Sequence, residues 1–180
     1  MIFHEVAIPG AYLLEPERKE DHRGFFARTY CRRELEDRSL DPTVVQCSIS
    51  VNKARGTVRG MHWQAEPYPE VRLVRCTRGA VHDVILDLRP GSPAFKKHYA
   101  VELDDENRLS LYVPAGCAHG FQTLTDGAEV FYQMSEFYYA ELACGVRWND
   151  PAFDVTWPLE ISVISEKDLS FPDFDEKRTT

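Results

Sequence analysis

The stretch Arg59-Gly60-Met61-His62-Trp63-Gln64, taken with Pro114-Ala115-Gly116-Cys117-Ala118-His119-Gly120-Phe121, decides the fold. Each places a histidine beside a glycine turn in sequence that otherwise reads as strand. Around them, from 44 to 134, run short apolar or alternating segments at 71–76, 80–88, 99–103, 109–113 and 129–134. Turn residues separate them: Arg78-Gly79, Arg89-Pro90-Gly91-Ser92-Pro93, Asp104-Asp105-Glu106-Asn107, Pro114-Ala115-Gly116 and Asp126-Gly127. Short strands at this spacing predict an all-β sandwich or barrel. Helical periodicity is weak, and 31–38 reads as one short helix. From 146 onward Trp148, Pro151, Trp157 and Pro158 predict an irregular cover over the barrel, and the charged 175–180 a frayed tail.

The 180 residues suit one domain, 1–180, long enough to bury a real core. No apolar run approaches the ~20 residues of a membrane helix. The N-terminal Met1-Ile2-Phe3-His4-Glu5 lacks the regions of a signal peptide. Five cysteines, with no Cys-x-x-Cys pair, read as reduced thiols in a cytoplasmic protein, not a disulfide frame or zinc site. A net charge of −8 argues against a nucleic-acid partner. It leaves an anionic small ligand open, because two or three local arginines suffice to hold a phosphate.

The second of the opening stretches matches the Pro-x-Gly-x-x-His half of a metal-binding cupin barrel. The first should then supply His-x-His, but it supplies His62-x-Gln64. One histidine in each half, without a third to complete a metal triad, predicts acid–base chemistry and no metal.

Further motifs follow in order: Asp21-x-Arg23-Gly24-Phe25-Phe26, Gly56-x-x-Arg59-Gly60-Met61-His62-x-Gln64, Arg72-Leu73-Val74-Arg75, Asp83-Val84 and Asp87-Leu88-Arg89-x-x-Ser92-Pro93. After Pro114-x-Gly116-x-Ala118-His119-Gly120-Phe121 come Tyr132, Trp148-Asn149-Asp150-Pro151, Trp157-Pro158 and Ser165-x-Lys167-Asp168. With these, from about 10 to 172, the chain resembles the dTDP-4-dehydrorhamnose 3,5-epimerase family. The resemblance implies a cupin-like (jelly-roll) double-stranded β-barrel with a few short helices. It implies a homodimer that uses no cofactor. The implied substrate is a nucleoside-diphosphate 4-keto-6-deoxyhexose, dTDP-linked, in rhamnose-like deoxysugar biosynthesis. A proton is removed and returned at C3, C5 or both. Two alternatives stand beside it. One is a C3-only epimerase or ketoisomerase on a CDP- or GDP-linked sugar; the other is a non-catalytic sugar-nucleotide binding cupin.

The family's roles fall on residues of this chain. His62 aligns with the base, Asp168 with the carboxylate that orients it, and Tyr132 with the proton donor, whose phenol needs a nearby cation to lower its pKa. Arg72 stands where lysine is usual and would face the enolate, or else form a surface pair with Glu70. His119 would help hold the substrate, with Asp83 either orienting it or packed as a strand carboxylate. Arg23 and Arg59 are the pyrophosphate ligands implied, although each reads equally well as half of a structural ion pair. Phe26, Gln46, Ser48 and Lys167 complete the implied substrate contacts. Tyr138 would stack on the pyrimidine or cap the core. The chain departs from the family pattern at Arg28, Ser48, Glu70, Arg72, Gln133 and Ala143. These positions predict retained chemistry with altered substrate contacts, and C3 inversion as more secure than C5.

Overall fold

Short apolar and alternating runs between turn residues sort the strands of this chain into two antiparallel sheets. The computed structural model describes residues 1–175. One sheet has six strands in the order β1 (Ile2–Glu5), β2 (Tyr12–Glu15), β10 (Ser110–Val113), β7 (Arg72–Arg78), β12 (Glu129–Met134) and β5 (Gln46–Val51). The other has five, in the order β13 (Ala143–Gly145), β6 (Val58–Gln64), β11 (Cys117–Thr123), β8 (Ala80–Asp87) and β9 (His98–Asp104). A separate ribbon pairs β3 (Lys19–Asp21) with β4 (Gly24–Phe26).

The inner faces meet in one apolar layer. Val74, Cys76 and Val130 of the six-stranded sheet pack with Val81, Ile85 and Phe121 of the five-stranded sheet. Burying side chains of this size contributes roughly 1.5–3 kcal/mol each before entropy is counted. The result is the expected all-β jelly roll. The strands read at 71–76, 80–88, 99–103, 109–113 and 129–134 are β7, β8, β9, β10 and β12, with ends shifted by no more than two residues.

Each sheet's outer face is covered differently. The helix read at 31–38 is α1 (Arg32–Glu36), which lays Leu35 on Leu14, Leu73 and Tyr112 outside the six-stranded sheet. The expected C-terminal cover lies outside the five-stranded sheet, where Val146, Phe153 and Trp157 pack on Met61, Val84, Leu86 and Ala118. That segment holds one element the sequence did not predict, α2 (Glu166–Ser170), capped by the Ser165 hydroxyl. The outer face of β5 is left open, with Ile49 61% and Val51 53% exposed. Beyond Asp175, the expected frayed tail lies outside the described residues. Among those described, no helix is long and apolar enough to cross a membrane.

Arg28 is engaged with its own chain. Its Nη1 donates to Glu34 on α1 at 2.7 Å, and the same carboxylate takes the Met1 ammonium at 2.7 Å. The ammonium and then Arg28 hold the Glu34 carboxyl at a pKa of about 2.

Candidate active site

At one end of the sandwich the sheets part around a cavity of about 660 Å³. That is within the range of small-molecule sites. Among its walls are Ser48, Arg59, His62, Arg72, His119, Tyr132, Tyr138, Lys167 and Asp168. The two opening stretches of the sequence form adjacent strands, and His62 and His119 are paired Cα partners across β6 and β11. Gly60 and Gly120 make that pairing possible. A Cβ on Gly60, at φ +139°, would lie 2.6 Å from the Gly120 Cα, and one on Gly120 would lie 2.8 Å from the Arg59 carbonyl oxygen. The strands therefore touch backbone to backbone just beside both histidines.

Each histidine leans on a carboxylate. His62 Nε2 donates to Asp168 Oδ1 at 2.6 Å, and His119 Nε2 donates to both oxygens of Asp83 at 3.0 and 2.9 Å. An ionised carboxylate only accepts, so it fixes the proton on Nε2 and leaves Nδ1 with the lone pair. Asp168 is itself held by its backbone N–H, which donates to Ser165 Oγ at 3.0 Å. Burial works to raise the Asp168 carboxyl. The hydrogen bonds from His62, the Ser165 region and the Gly60 backbone outweigh it, and the pKa lies below the usual value. Asp83 is wholly buried and His119 nearly so, which makes Asp83 the orienting group of that pair.

Tyr132 belongs to β12, in the opposite sheet from His62. Its ring meets His119 edge-on at 5.8 Å. The expectation that a cation lowers its pKa is reversed. Burial, reinforced by Asp83, pushes the phenol up despite Arg72 and Arg59 nearby. Tyr132 is thus held protonated, as a proton donor must be at neutral pH.

Arg72 sits at the start of β7 with every strong contact inside the wall. Its Nη1 donates to the His62 carbonyl at 2.9 Å, and its Nε to Glu70 Oε1 at 2.8 Å. The Arg72–Glu70 pair is not at the surface: the side chains are 14% and 9% exposed. Arg59 reaches the cavity with its Nε bonded to Asn52 Oδ1 at 2.7 Å.

Several predicted contacts lie elsewhere. Gln46 is not in the wall; its side-chain carbonyl accepts the Tyr138 N–H at 2.6 Å and so places Tyr138, which is 61% exposed at the rim. Arg23 and Phe26 ride on the β3–β4 ribbon, outside their own chain's cavity. Arg23 pairs with Asp21, and both Arg23 (78%) and Phe26 (75%) face outward. Gln133 faces the outer side of its sheet, since its neighbour Tyr132 faces in. Ala143 lies on β13 opposite Gln64, away from the wall. Gln64 is buried and fully occupied: its amide donates to the carbonyls of Tyr68 (2.6 Å) and Phe137 (3.0 Å) and its oxygen accepts the Tyr139 N–H (2.9 Å). Among the described residues no three His, Cys, Asp or Glu side chains stand together as a metal site. Sequence reasoning missed Asn52, which carries no motif, and Phe171, whose ring lies 5.9 Å from that of His62.

A carboxylate-backed imidazole and a protonated phenol, lining one cavity from two sheets together with Arg59 and Arg72, suit an acid–base enzyme that acts on an anionic ligand. The comparisons agree. The family model described as dTDP-4-dehydrorhamnose 3,5-epimerase matches residues 5–176. A protein of that description from Sinorhizobium fredii is 41% identical over 177 residues, covering 98% of this chain and 91% of its own length. The crystal structure of the Bacillus anthracis enzyme of that description, with TDP and PPi bound, is similar at TM-score 0.92 and 38% identity, over 96% of this chain and 99% of that one. A 3'-monoepimerase of Streptomyces bikiniensis in complex with dTDP-quinovose is similar at TM-score 0.87 and 32% identity, over 94% and 86%. The chain is a carbohydrate epimerase, an isomerase. It belongs to the dTDP-4-dehydrorhamnose 3,5-epimerase family.

Proposed function

We propose that this protein inverts C3 and C5 of a dTDP-linked 4-keto-6-deoxyhexose, with His62 as base and Tyr132 as acid. One observation carries the reading. The His62–Asp168 couple and Tyr132 line one cavity from opposite sheets, so a sugar ring between them has a base on one face and an acid on the other. The 4-keto group acidifies the hydrogens at C3 and C5. His62 Nδ1 takes the proton, and the electron pair moves onto the ketone oxygen as an enolate. The Arg72 guanidinium, already anchored on Glu70 and the His62 carbonyl, donates to that oxygen. The Tyr132 hydroxyl then delivers a proton to carbon from the other face, which inverts the centre. His119, held by Asp83, supports the ring, and Arg59 takes the diphosphate. Ser48, Tyr138 and Lys167 contact the remainder of the ligand.

A C3-only reaction is the second reading. It is favoured by the likeness to a monoepimerase and by Ser48 and Arg72 within the wall. Gln133 and Ala143 no longer support it, because neither lines the cavity. Incubation with dTDP-4-keto-6-deoxyglucose in D₂O, followed by NMR, tests both. Deuterium is expected at C3 and C5 at comparable rates. Deuterium at C3 alone would assign the second reading, and none at either carbon would refute the epimerase.

The same proposal includes a two-fold homodimer. Arg23 and Phe26 extend from the ribbon outside the cavity that holds His62 and Tyr132. Ile49 and Val51 leave an apolar strand face uncovered. A second copy laid on that face would bury it and receive the ribbon. Sedimentation should give a dimer at micromolar concentration; a stable, fully active monomer would reject this.

A further inference from the structure

We infer that Asn52 is a positioning residue that makes Arg59 a full-charge fork for the diphosphate. The inference rests on the dTDP-sugar reading above. Asn52 follows β5 and is 2% exposed. Its side-chain nitrogen donates to the carbonyls of Ser50 (3.1 Å) and Ala128 (3.2 Å), and its backbone N–H to that of Ala128 (2.9 Å). A carbonyl oxygen only accepts, so these partners dictate which end of the amide faces which way. Oδ1 is left pointing at Arg59 Nε, 2.7 Å away.

That contact has two effects. It consumes the Nε–H and fixes the guanidinium plane, so that Nη1 and Nη2 remain for the cavity. Two parallel N–H groups on one terminal edge match two phosphate oxygens. The second effect is on charge. Among the described residues Arg59 makes no ion pair, and its one buried partner is neutral. Arg72, in the wall of the same cavity, is instead bound to Glu70 and forms a couple of no net charge. The site thereby holds two arginines with different work: a neutralised one at the enolate and an undischarged one for an anion. An aspartate at position 52 would orient Arg59 equally well and cancel its charge. Asparagine orients it and leaves the charge whole.

The experiment is calorimetric titration with dTDP of the wild type, Asn52→Ala, Arg59→Ala and the double variant, together with steady-state kinetics. Asn52→Ala should bind dTDP about tenfold more weakly, the cost of ordering one long side chain afresh on binding. KM should rise by a similar factor with kcat little changed, since the loss is one of uniform binding. On the Arg59→Ala background, Asn52→Ala should cost nothing more, because the residue acts only through that arginine. Should Asn52→Ala fail to fold, Arg59→Lys carries the test. It keeps the charge but cannot both bond Asn52 and offer a fork, so its affinity should fall about tenfold as well. Undiminished dTDP binding by Asn52→Ala or Arg59→Lys would overturn the inference. So would a loss from Asn52→Ala that adds in full to that of Arg59→Ala. A wild type that binds no dTDP would overturn the functional reading and this inference with it; in the other cases the functional reading survives.

Discussion

Replacing His62 with asparagine should lower solvent-deuterium exchange at C3 by about 10²–10⁴-fold, the range for loss of a general base. The fold should hold, because the side chain is 37% exposed and the neighbouring glycine contact is made by backbone. Asp168→Asn should fall in the same range for a different reason. An amide nitrogen donates where the carboxylate accepted, so the imidazole must turn its lone pair toward residue 168 and present N–H to the substrate. The geometry survives and the tautomer is wrong. Asp168→Asn should also change acid stability. The folded carboxyl has a depressed pKa, so its pairing stabilises the fold above the ordinary carboxylate pKa. That stabilisation is lost as pH falls through the lowered value. The asparagine variant should lack this acid-side slope in denaturation. Near-wild-type exchange at C3 by either variant would remove His62 from the role of base.

Tyr132→Phe should separate exchange from inversion. The ring still packs beside the core and against His119, so the fold is expected to be unchanged. His62 can still remove the C3 proton and return deuterium to the same face. Inversion, which needs delivery from the opposite sheet, should fall by about 10²–10⁴-fold. NMR distinguishes the two: deuterium at C3 with the starting configuration is the expected product. Inversion at the wild-type rate would remove Tyr132 from the mechanism. Exchange and inversion lost together would place it in enolate formation instead.

Much of this was legible from the residues. The strands β7 to β10 and β12 are short apolar or alternating runs set off by turn residues, β8 and β10 being buried along nearly their whole length. The β3–β4 ribbon has three-residue strands with every residue exposed, so it carries no such signal. α2 spans five residues, too short for a helical repeat to show. His62 and His119 stand out beside glycines that only a close strand approach requires. Asp168 does not: in isolation it is a loop acid, and only the spacing of Ser165-x-Lys167-Asp168 within the family pattern points to it. Glu70 and Arg72 share a wall because they are two residues apart in extended chain. Their burial depends on the opposite sheet and is invisible locally. Gln133 and Ala143 show the converse: strand parity turns Gln133 away from the cavity, and Ala143 lies further along its strand than the wall reaches. Asn52 is oriented by backbone carbonyls, which leave no trace in residue type.

The His62–Asp168 hydrogen bond joins residues 106 positions apart, from the middle of the barrel to a helix laid down after both sheets are complete. During synthesis the strand residues and His62 exist before Asp168, the carboxylate that orients its ring, has left the ribosome. A chain halted or clipped ahead of Glu166 would have every strand residue and lack the carboxylate that sets the imidazole. On the proposed mechanism, proton exchange would then begin only once the segment carrying Asp168 has docked on the barrel.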